Sequence, residues 1–559
     1  MKLQPSLTRN IGLRKMVLDA HPIIQHFIEL LKIPDIIGSY IKSDKRMIVD
    51  VERVLTLVIH NYLTQPYPLY EFQDWIGPLD VEKLGLTDPE GDAIQDDRIG
   101  KALESLYFGR HKDVFFRLAL RAIKVFELDC SQVHQDTTSV TFCGRYPGWS
   151  AQELLTYGKN KDHRPDLKQL VLGMTVTADG SVPLTHRIYD GNQTDDRLHP
   201  ENYRRLQKLL GRADFIYVAD CKLATQENLE KISRWGGLFV SVMPRTWKED
   251  ELFRKKLRKG GTMWQHILSR PNNRKPESKI DRYYKAAGDY TTVKGYRLYW
   301  IRSTQKEQQD REARAKRLQN AVDTLNVLQP KLNKYKLKSR KQIDAKIRAV
   351  LQDNNCIDFI DVEIHEHRDY KKVHKQAGRP IKNAPSRITW KRAFSFTFGV
   401  NTDAILQHER VDGVFPLITN LPAEKYKAKR VLEIYKFQPF LEKRHTQIKS
   451  YQEVTPVNLK KSERVVAYLH MQVMSLMVAT LIERKLRISM RDNGLKSLPI
   501  YPEERPCYSP TMFDIVRLFR GVERYEVYEG DDIKIFPASI NEIQAKVLTL
   551  LDIPLSVYQ

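Results

Sequence analysis

Residues 127–243 alternate between short runs that favour β-strands and runs that favour helices. Five runs rich in β-branched and other apolar residues favour strands: 133–142, 167–179, 182–191, 214–220 and 238–243. Two runs with helical spacing flank the fourth strand: 197–211 and 224–237. The resulting order, β-β-β-α-β-α-β, predicts an α/β fold for this part of the chain.

The chain is also strongly basic. Its 559 residues include 92 Lys and Arg against 69 Asp and Glu, which gives a formal net charge of +23. A surplus of this size on a folded protein indicates a polyanionic partner, most often nucleic acid. The alternative is a basic protein without such a partner. Hydrophobic residues make up 41% of the chain, which is enough for real cores and excludes a disordered protein.

The remaining bulk features indicate an intracellular, soluble protein. The five cysteines are scattered without a C-x-x-C pair, which argues against a zinc site or a disulfide framework and fits a reducing compartment. The first twenty residues lack the apolar core of a signal peptide. The sequence contains no uninterrupted run of about 18 apolar residues, so no membrane span is expected.

The segments around the core differ in composition and in predicted secondary structure, and these differences predict five divisions of the chain. They are a helical N-terminal domain at 1–125, the first core part at 126–244, an insertion at 245–420, the second core part at 421–495, and a C-terminal region at 496–559. The N-terminal helices are expected either to read DNA ends or only to pack. The C-terminal region is a candidate for dimerisation or DNA contact. Pro330 divides the charged helical stretch 303–352 of the insertion into two predicted helices.

Two aspartates stand out on the core strands. Asp136 lies inside the first strand among β-favouring residues, although Asp is disfavoured there. Asp220 ends the apolar run of the fourth strand. Each aspartate alone could be an exposed edge residue or a strand end. Together they suggest a pair of metal ligands held on rigid elements.

Three strands, a helix and a strand between two aspartates is the plan of an RNase H-like core, in which the first and fourth strands are neighbours. Carboxylates that meet at such a point can hold Mg²⁺, which prefers oxygen ligands. Two ions about 4 Å apart can activate a water or a 3′-hydroxyl and stabilise the leaving oxygen in phosphoryl transfer. A third carboxylate is then expected from a later helix.

The segment 431–450 supplies that carboxylate. Its Tyr435, Gln438, Glu442 and Lys449 resemble the Y-(2)-R-(3)-E-(6)-K signature of the DDE transposases of bacterial insertion sequences, in the IS-four-like class. Residues 157–176, 191–196 and 218–229 resemble other segments of that family. On an ideal helix the four signature positions fall within roughly 60° of one another, so all four side chains would face one site. Glu442 would bind metal there, and Tyr435, Gln438 and Lys449 would contact DNA.

The chain departs from the signature in two places. The usual Arg is Gln438, which removes a bidentate phosphate clamp. Pro439 disfavours helical geometry at the residue before it, so the helix is expected to start near Pro439, with Tyr435 on an approach turn. In addition, Asp220 is followed by Cys221 and Lys222 rather than by the Ala-Gly of many relatives.

The resemblance implies an RNase H-like (retroviral-integrase-like) catalytic core that is interrupted by a long insertion. It implies a transposase that binds the terminal inverted repeats of its own insertion sequence and catalyses strand cleavage and strand transfer. Mg²⁺, with Mn²⁺ as a substitute, would be held by Asp136, Asp220 and Glu442. The partners would be double-stranded DNA at element ends and target, and a second copy of the chain. The location would be the prokaryotic cytoplasm, with the nucleoid.

Further residues carry weaker predictions. Lys168 and Arg164 belong to a basic loop before the second strand, which could follow DNA or simply be solvated. His134 and His445 lie near the acids and could touch metal or phosphate, support the acids, or simply be exposed. Trp264 and Trp390 of the insertion could stack on bases or sit in a core. Two rival functions stay open: a nuclease of the same fold, and a DNA-binding protein without catalysis.

Overall fold

The computed structural model describes residues 11–41, 48–87, 90–91, 93–142, 155–158, 166–193, 198–271, 280–374, 386–450, 459, 461–529 and 532–559. Contacts divide the chain into two compact units. The first unit combines residues 1–241 with residues 433–559, and the second unit is Val242–Leu432. Both units contain helices and strands, so the fold is mixed α/β.

The first unit begins with one strand and six helices. They are β1 (Ile11–Val17), α1 (His21–Leu31), α2 (Ile33–Gly38), α3 (Val51–Leu63), α4 (Phe72–Ile76), α5 (Asp96–Phe108) and α6 (His111–Val125). We expected these helices to form a separate domain. The structure instead includes them in the same unit as the strands that follow, because their apolar faces pack on a long helix from the C-terminal part of the chain.

The sheet of the first unit follows. Its elements are β2 (Gln132–Phe142), β3 (Lys168–Thr177), β4 (Pro183–Asp190), α7 (His199–Leu210), β5 (Ile216–Val218), α8 (Gln226–Arg234) and β6 (Leu238–Val242). The strand order is β4-β3-β2-β5-β6. β3 pairs antiparallel with β2 and β4, whereas β5 pairs parallel with β2 and β6.

The predicted order of these core elements is confirmed, and so is the predicted neighbourhood of the first and fourth strands. The fourth strand is shorter than expected, Ile216–Val218 against 214–220. It ends early because Asp220 begins a turn, in which its carboxylate accepts from the Lys222 amide at 2.9 Å and its carbonyl from the Leu223 amide at 3.2 Å.

The second unit contains a sheet, a pair of long helices and a long hairpin. Its strands and helices are α9 (Lys248–Lys259), β7 (Trp264–Pro271), β8 (Ile280–Ala286), β9 (Tyr290–Thr291), β10 (Arg297–Ser303), α10 (Thr304–Leu328), α11 (Arg340–Asp353), β11 (Ile360–His374), β12 (Ser386–Val400), α12 (Thr402–Glu409) and β13 (Val414–Thr419). The strand order is β13-β10-β8-β7, with β9 also on β10, and β11 pairs with β12. The predicted division of the charged helical stretch at Pro330 is confirmed.

The chain then returns to the first unit through α13 (Ala428–Tyr435), whose last residues belong to it. The remaining elements are α14 (Gln438–Ser450), α15 (Ser462–Asp492), α16 (Met512–Phe519), β14 (Glu523–Glu529), β15 (Asp532–Phe536) and α17 (Glu542–Leu550). β14 pairs antiparallel with β1, so a strand near the start of the described chain and a strand from its C-terminal part share a small sheet. The division into five functional segments stays a prediction, since contacts distinguish only two units.

α15 is the central helix of the first unit. It packs against α1, α3, α5, α6, α14, α16, α17 and β4. Among the described residues it is the one helix long and apolar enough to cross a membrane, but 94% of its apolar window is buried inside the protein. The core of a folded domain therefore accounts for its hydrophobicity.

A chain of hydrogen bonds holds two buried histidines between α1 and α3. The His60 Nε2 lies 3.1 Å from Gln25 Oε1, and its Nδ1 lies 3.1 Å from Nδ1 of His21. If His60 donates from Nε2 to Gln25, its Nδ1 must accept from His21, which makes the His60 ring neutral. Burial lowers the pKa of His21 to about 3 and that of His60 well below its usual value.

This pair should make the first unit sensitive to acid. The unfolded histidines take up protons near pH 6.5 and the folded ones do not, so stability is lost as the pH falls from about 6.5 towards 3. We expect a loss of about 2 kcal/mol per histidine by about pH 5, measured by urea unfolding. The double variant His21→Leu, His60→Leu should show a shallower pH dependence. The exposed control His367→Gln should keep the original one, and equal slopes for both variants would contradict the assignment.

Candidate functional site

Each of the two core aspartates lies two residues after the last residue that pairs β2 with β5. β2 and β5 are parallel, with Gln132 opposite Ile216 and His134 opposite Val218. Two residues further along, Asp136 corresponds to Asp220, which lies just beyond the end of β5. Adjacent strands are about 4.8 Å apart, so the two carboxylates start from neighbouring backbone positions. Asp136 is 16% exposed, and Asp220 is also partly accessible.

Alternation along β2 directs Gln132, His134 and Asp136 to one face of the sheet. α14 packs on this strand, and Gln438 in its first turn makes the attachment. The Gln438 Nε2 donates to the carbonyl of Gln135 at 2.9 Å, and its Oε1 lies 3.0 Å from His134 Nδ1. Because the amide is 6% exposed and both of its ends are used, it fixes the start of α14 over β2.

His134 is held as a neutral ring by this network. Its Nδ1 donates to Gln438, so its Nε2 accepts from the Gln132 amide at 2.7 Å. Burial lowers its pKa to about 4, and the bond to Gln438 opposes this effect only in part. The ring also packs against Phe437, with the centroids 4.8 Å apart. His134 is thus a buried support beside the acids.

α14 presents its signature positions on the face that starts at Gln438. Glu442, His445 and Lys449 follow at intervals of four, three and four residues, which keeps them on one side of a helix. His445 is buried on that side, with its Nδ1 3.6 Å from Oδ2 of Asp136. Glu442 is exposed and Lys449 is half-buried. The face that touches β2 therefore continues into an open acidic site.

Tyr435 was expected on an approach turn, but it is the last residue of α13, and the turn before α14 consists of residues 436–437. Burial raises the pKa of its hydroxyl, and the negative charges of Asp220, Glu442 and Asp136 add to the effect. One phenol therefore lies within electrostatic reach of all three acids, and it stays protonated at neutral pH.

The donor set suits a hard cation, since three carboxylates offer the oxygen ligands that Mg²⁺ takes. Asp136 and Asp220 start from matching positions, and Glu442 opens to solvent on the helix that covers them. Among the residues described here, however, no three His, Cys, Asp or Glu side chains come close enough together to hold a metal ion by themselves. Metal binding by the triad stays a prediction.

The other predicted site residues are more scattered. Lys168 pairs with Phe142 at the far end of β2 and β3, about 20 Å along the strand from Asp136. Arg164 lies outside the described residues. The buried Gln438 joins two elements, and its predicted contact with DNA stays a prediction. Sequence reasoning missed Gln132, whose only signal was its place two residues before His134 on the same strand face.

A second attachment of α14 was also missed. Arg444 on this helix donates to the carboxylate of Glu483 on α15 at 2.6 Å, and Arg487 donates to the same oxygen at 3.3 Å. Glu483 is 1% exposed and also accepts from the Met512 amide at 3.0 Å. This cluster ties the helix of the acidic site to the core helix of the unit.

Comparison with known proteins gives limited matches. A sequence family described as a domain of unknown function (DUF4277) matches residues 13–120, which is 108 of the 559 residues. No curated protein matches the chain. Among solved structures, the chain is similar to a piggyBac transposase in a cryo-EM synaptic complex with hairpin DNA. The identity is 9% and the TM-score 0.37, over 89% of this chain and 79% of that one.

The attachment by Gln438 can be tested through stability. Replacing Gln438 by Ala leaves His134 Nδ1 and the Gln135 carbonyl buried without their partner, and we expect a loss of about 2 kcal/mol in the free energy of unfolding. The matched control is Lys443→Ala on the exposed side of the same helix, which should change stability by less than about 0.5 kcal/mol. Urea unfolding measures both. Equal stability of the two variants would show that the amide does not hold α14.

Proposed function

We propose that the protein is a DNA transposase of the DDE type, with Asp136, Asp220 and Glu442 as its acidic triad. One observation carries the proposal. Asp136 lies on β2, Asp220 follows two residues after the end of the neighbouring parallel strand β5, and α14 is attached to the face of β2 that carries Asp136, with Glu442 open to solvent. The strand order β4-β3-β2-β5-β6 supports an RNase H-like core, because such cores place their first and fourth strands side by side.

The three acids would hold Mg²⁺, or Mn²⁺ in its place. When bound, the metal would activate a water or a 3′-hydroxyl and stabilise the leaving oxygen of the phosphodiester. The protein's own residues serve this site in distinct ways. Tyr435 keeps its proton and can donate a hydrogen bond to a phosphate oxygen. His445 lies beside Asp136 and can steady its carboxylate. Lys449, about two turns beyond Glu442 on the same face of α14, offers positive charge to the next phosphates.

The substrate follows from charge and from the resemblance of the signature segment. A formal net charge of +23 favours DNA as the partner. We propose that the protein binds the terminal inverted repeats of a prokaryotic insertion sequence, nicks the strand there, and joins the freed 3′-hydroxyl to target DNA. Each element end needs its own active site, so a dimer on paired ends is the expected assembly.

The triad is tested by neutral substitutions that keep side-chain size: Asp136→Asn, Asp220→Asn and Glu442→Gln. Each should lower the rate of metal-dependent cleavage of inverted-repeat DNA below about one hundredth of the unmodified protein's rate, since even residues that support a metal ligand cost up to that much. Binding to the same DNA should persist. Glu503→Gln, an exposed position with the same change of charge, should cleave normally.

Several results would overturn this assignment. Full cleavage by one of the three variants would remove that residue from the triad. Cleavage that continues with a chelator would exclude the metal chemistry. Cleavage without joining of a 3′-hydroxyl to a second duplex would favour the nuclease over the transposase, and binding without any cleavage would favour the non-catalytic DNA-binding protein.

Lys449 tests the direction in which α14 faces. Lys449→Ala should weaken binding to inverted-repeat DNA and lower the slope of log K against log salt by about 0.9, the loss of one phosphate contact. Strand transfer should slow, while metal-dependent nicking stays detectable. The control Lys443→Ala removes the same charge from another side of the helix and should keep the slope. Normal binding and joining by Lys449→Ala would show that this face does not meet DNA.

A further inference from the structure

The β11–β12 hairpin of the second unit is covered on one face over only half of its length. Its two strands are 15 residues each and pair from Ile360–Val400 to His374–Ser386. Near the base, Phe394 and Phe396 are buried in a cluster with residues of α10 and α11, and Ile364 packs against that cluster. These three residues lie on the same face, since Ile364 is opposite Phe396 and the alternation has a period of two.

The same face continues beyond the helices without cover. We call its outer part the ribbon face, and it consists of Arg368, Tyr370, Lys372, Ile388, Trp390 and Arg392. All six side chains are exposed, with Trp390 64% and Tyr370 58% accessible. Tyr370 is paired across the strands with Trp390, and their ring centroids are 5.9 Å apart. The sequence left core packing open as a role for Trp390, and its exposure excludes that role.

Two energetically unfavourable features indicate that this face is a binding surface. Large apolar side chains grouped in solvent are rare on a protein without a partner. Arg368 also lies directly opposite Arg392, and like charges in that position destabilise a hairpin. The neighbouring acid Glu366 lies 3.3 Å from Arg392. Its single carboxylate cannot neutralise both guanidinium groups. Together with Glu366, which lies on the same side of the hairpin, the ribbon face carries three positive charges against one negative charge.

We propose that the ribbon face binds double-stranded DNA in a groove. A two-stranded ribbon fits the major groove, which is about 12 Å wide. Arg368, Lys372 and Arg392 would meet phosphates along the groove walls, and the aromatic pair would contact base edges or sugars. The proposal extends the DNA-binding part of the proposed function and does not depend on the acidic triad.

The opposite face of the same hairpin offers a matched control. Arg387 and Lys391 are exposed there, one residue out of phase with the ribbon face. Two double variants therefore remove the same charge from the same element: Arg368→Ala with Arg392→Ala, and Arg387→Ala with Lys391→Ala. A third variant, Trp390→Ala, removes apolar area and no charge. Circular dichroism should confirm that all three stay folded.

Binding of the full chain to a mixed-sequence DNA duplex is measured over a range of salt, with a chelator present so that cleavage plays no part. The ribbon-face pair should weaken binding about tenfold and lower the salt slope by about 1.8, as expected for two lost phosphate contacts. Trp390→Ala should weaken binding about fivefold at unchanged slope. The opposite-face pair should keep both affinity and slope.

Equal losses from both charge pairs would mean unspecific attraction to the whole hairpin and would overturn the proposal. Unchanged DNA binding by the ribbon-face pair and by Trp390→Ala would overturn it too. If Trp390→Ala then altered sedimentation of the protein alone, the face would be a contact between copies of the chain. Full cleavage by the triad variants, with the ribbon-face results as expected, would overturn the triad and leave this proposal standing, so the two failures are distinguishable.

Discussion

The acidic site depends on one buried amide. Gln438 donates to the backbone of β2 and accepts from His134 on the same strand, and these two bonds set both the height and the rotation of α14 over the sheet. Rotation matters because Glu442 is one turn further along the helix, and a change of one residue in phase would turn it by about 100°. A buried polar group is favourable only when all its partners are present, so this contact selects one arrangement and penalises others.

A second polar contact holds the other side of α14. It differs from the Gln438 contact because it buries charged groups. Arg444 and Arg487 share the buried carboxylate of Glu483, which leaves one positive charge in excess within the cluster. Burial and the neighbouring Arg444 accordingly lower the pKa of Arg487. Buried ion pairs add little net stability, but removing one member is strongly unfavourable. We infer that the cluster serves orientation: it joins α14 to α15, the helix around which the first unit is packed.

The sequence was sufficient for contacts that follow from local pattern. Period-two alternation identified β2, and the order of strands and helices predicted that β2 and β5 would be neighbours, which brought Asp136 to Asp220. It was not sufficient where partners come from distant segments. Glu483 lies 39 residues after Arg444 with nothing in the spacing to pair them, and the N-terminal helices looked separate because their cover, α15, comes more than 300 residues later. Alternation also identified the faces of β11 and β12, but it cannot show where a covering helix ends.

α14 and the β11–β12 hairpin share one structural arrangement. Each element buries one part of a face to hold its position and leaves the next part of that face open. On α14 the buried Gln438 and His445 flank the exposed Glu442, and on the hairpin the exposed Trp390 and Arg392 adjoin the buried Phe394 and Phe396 on the same face. An exposed side chain on an isolated strand or helix would be free to move, and its binding would lose the entropy of ordering it. Continuity of the face removes much of that loss, because the backbone beneath the open residues is already fixed by their buried neighbours.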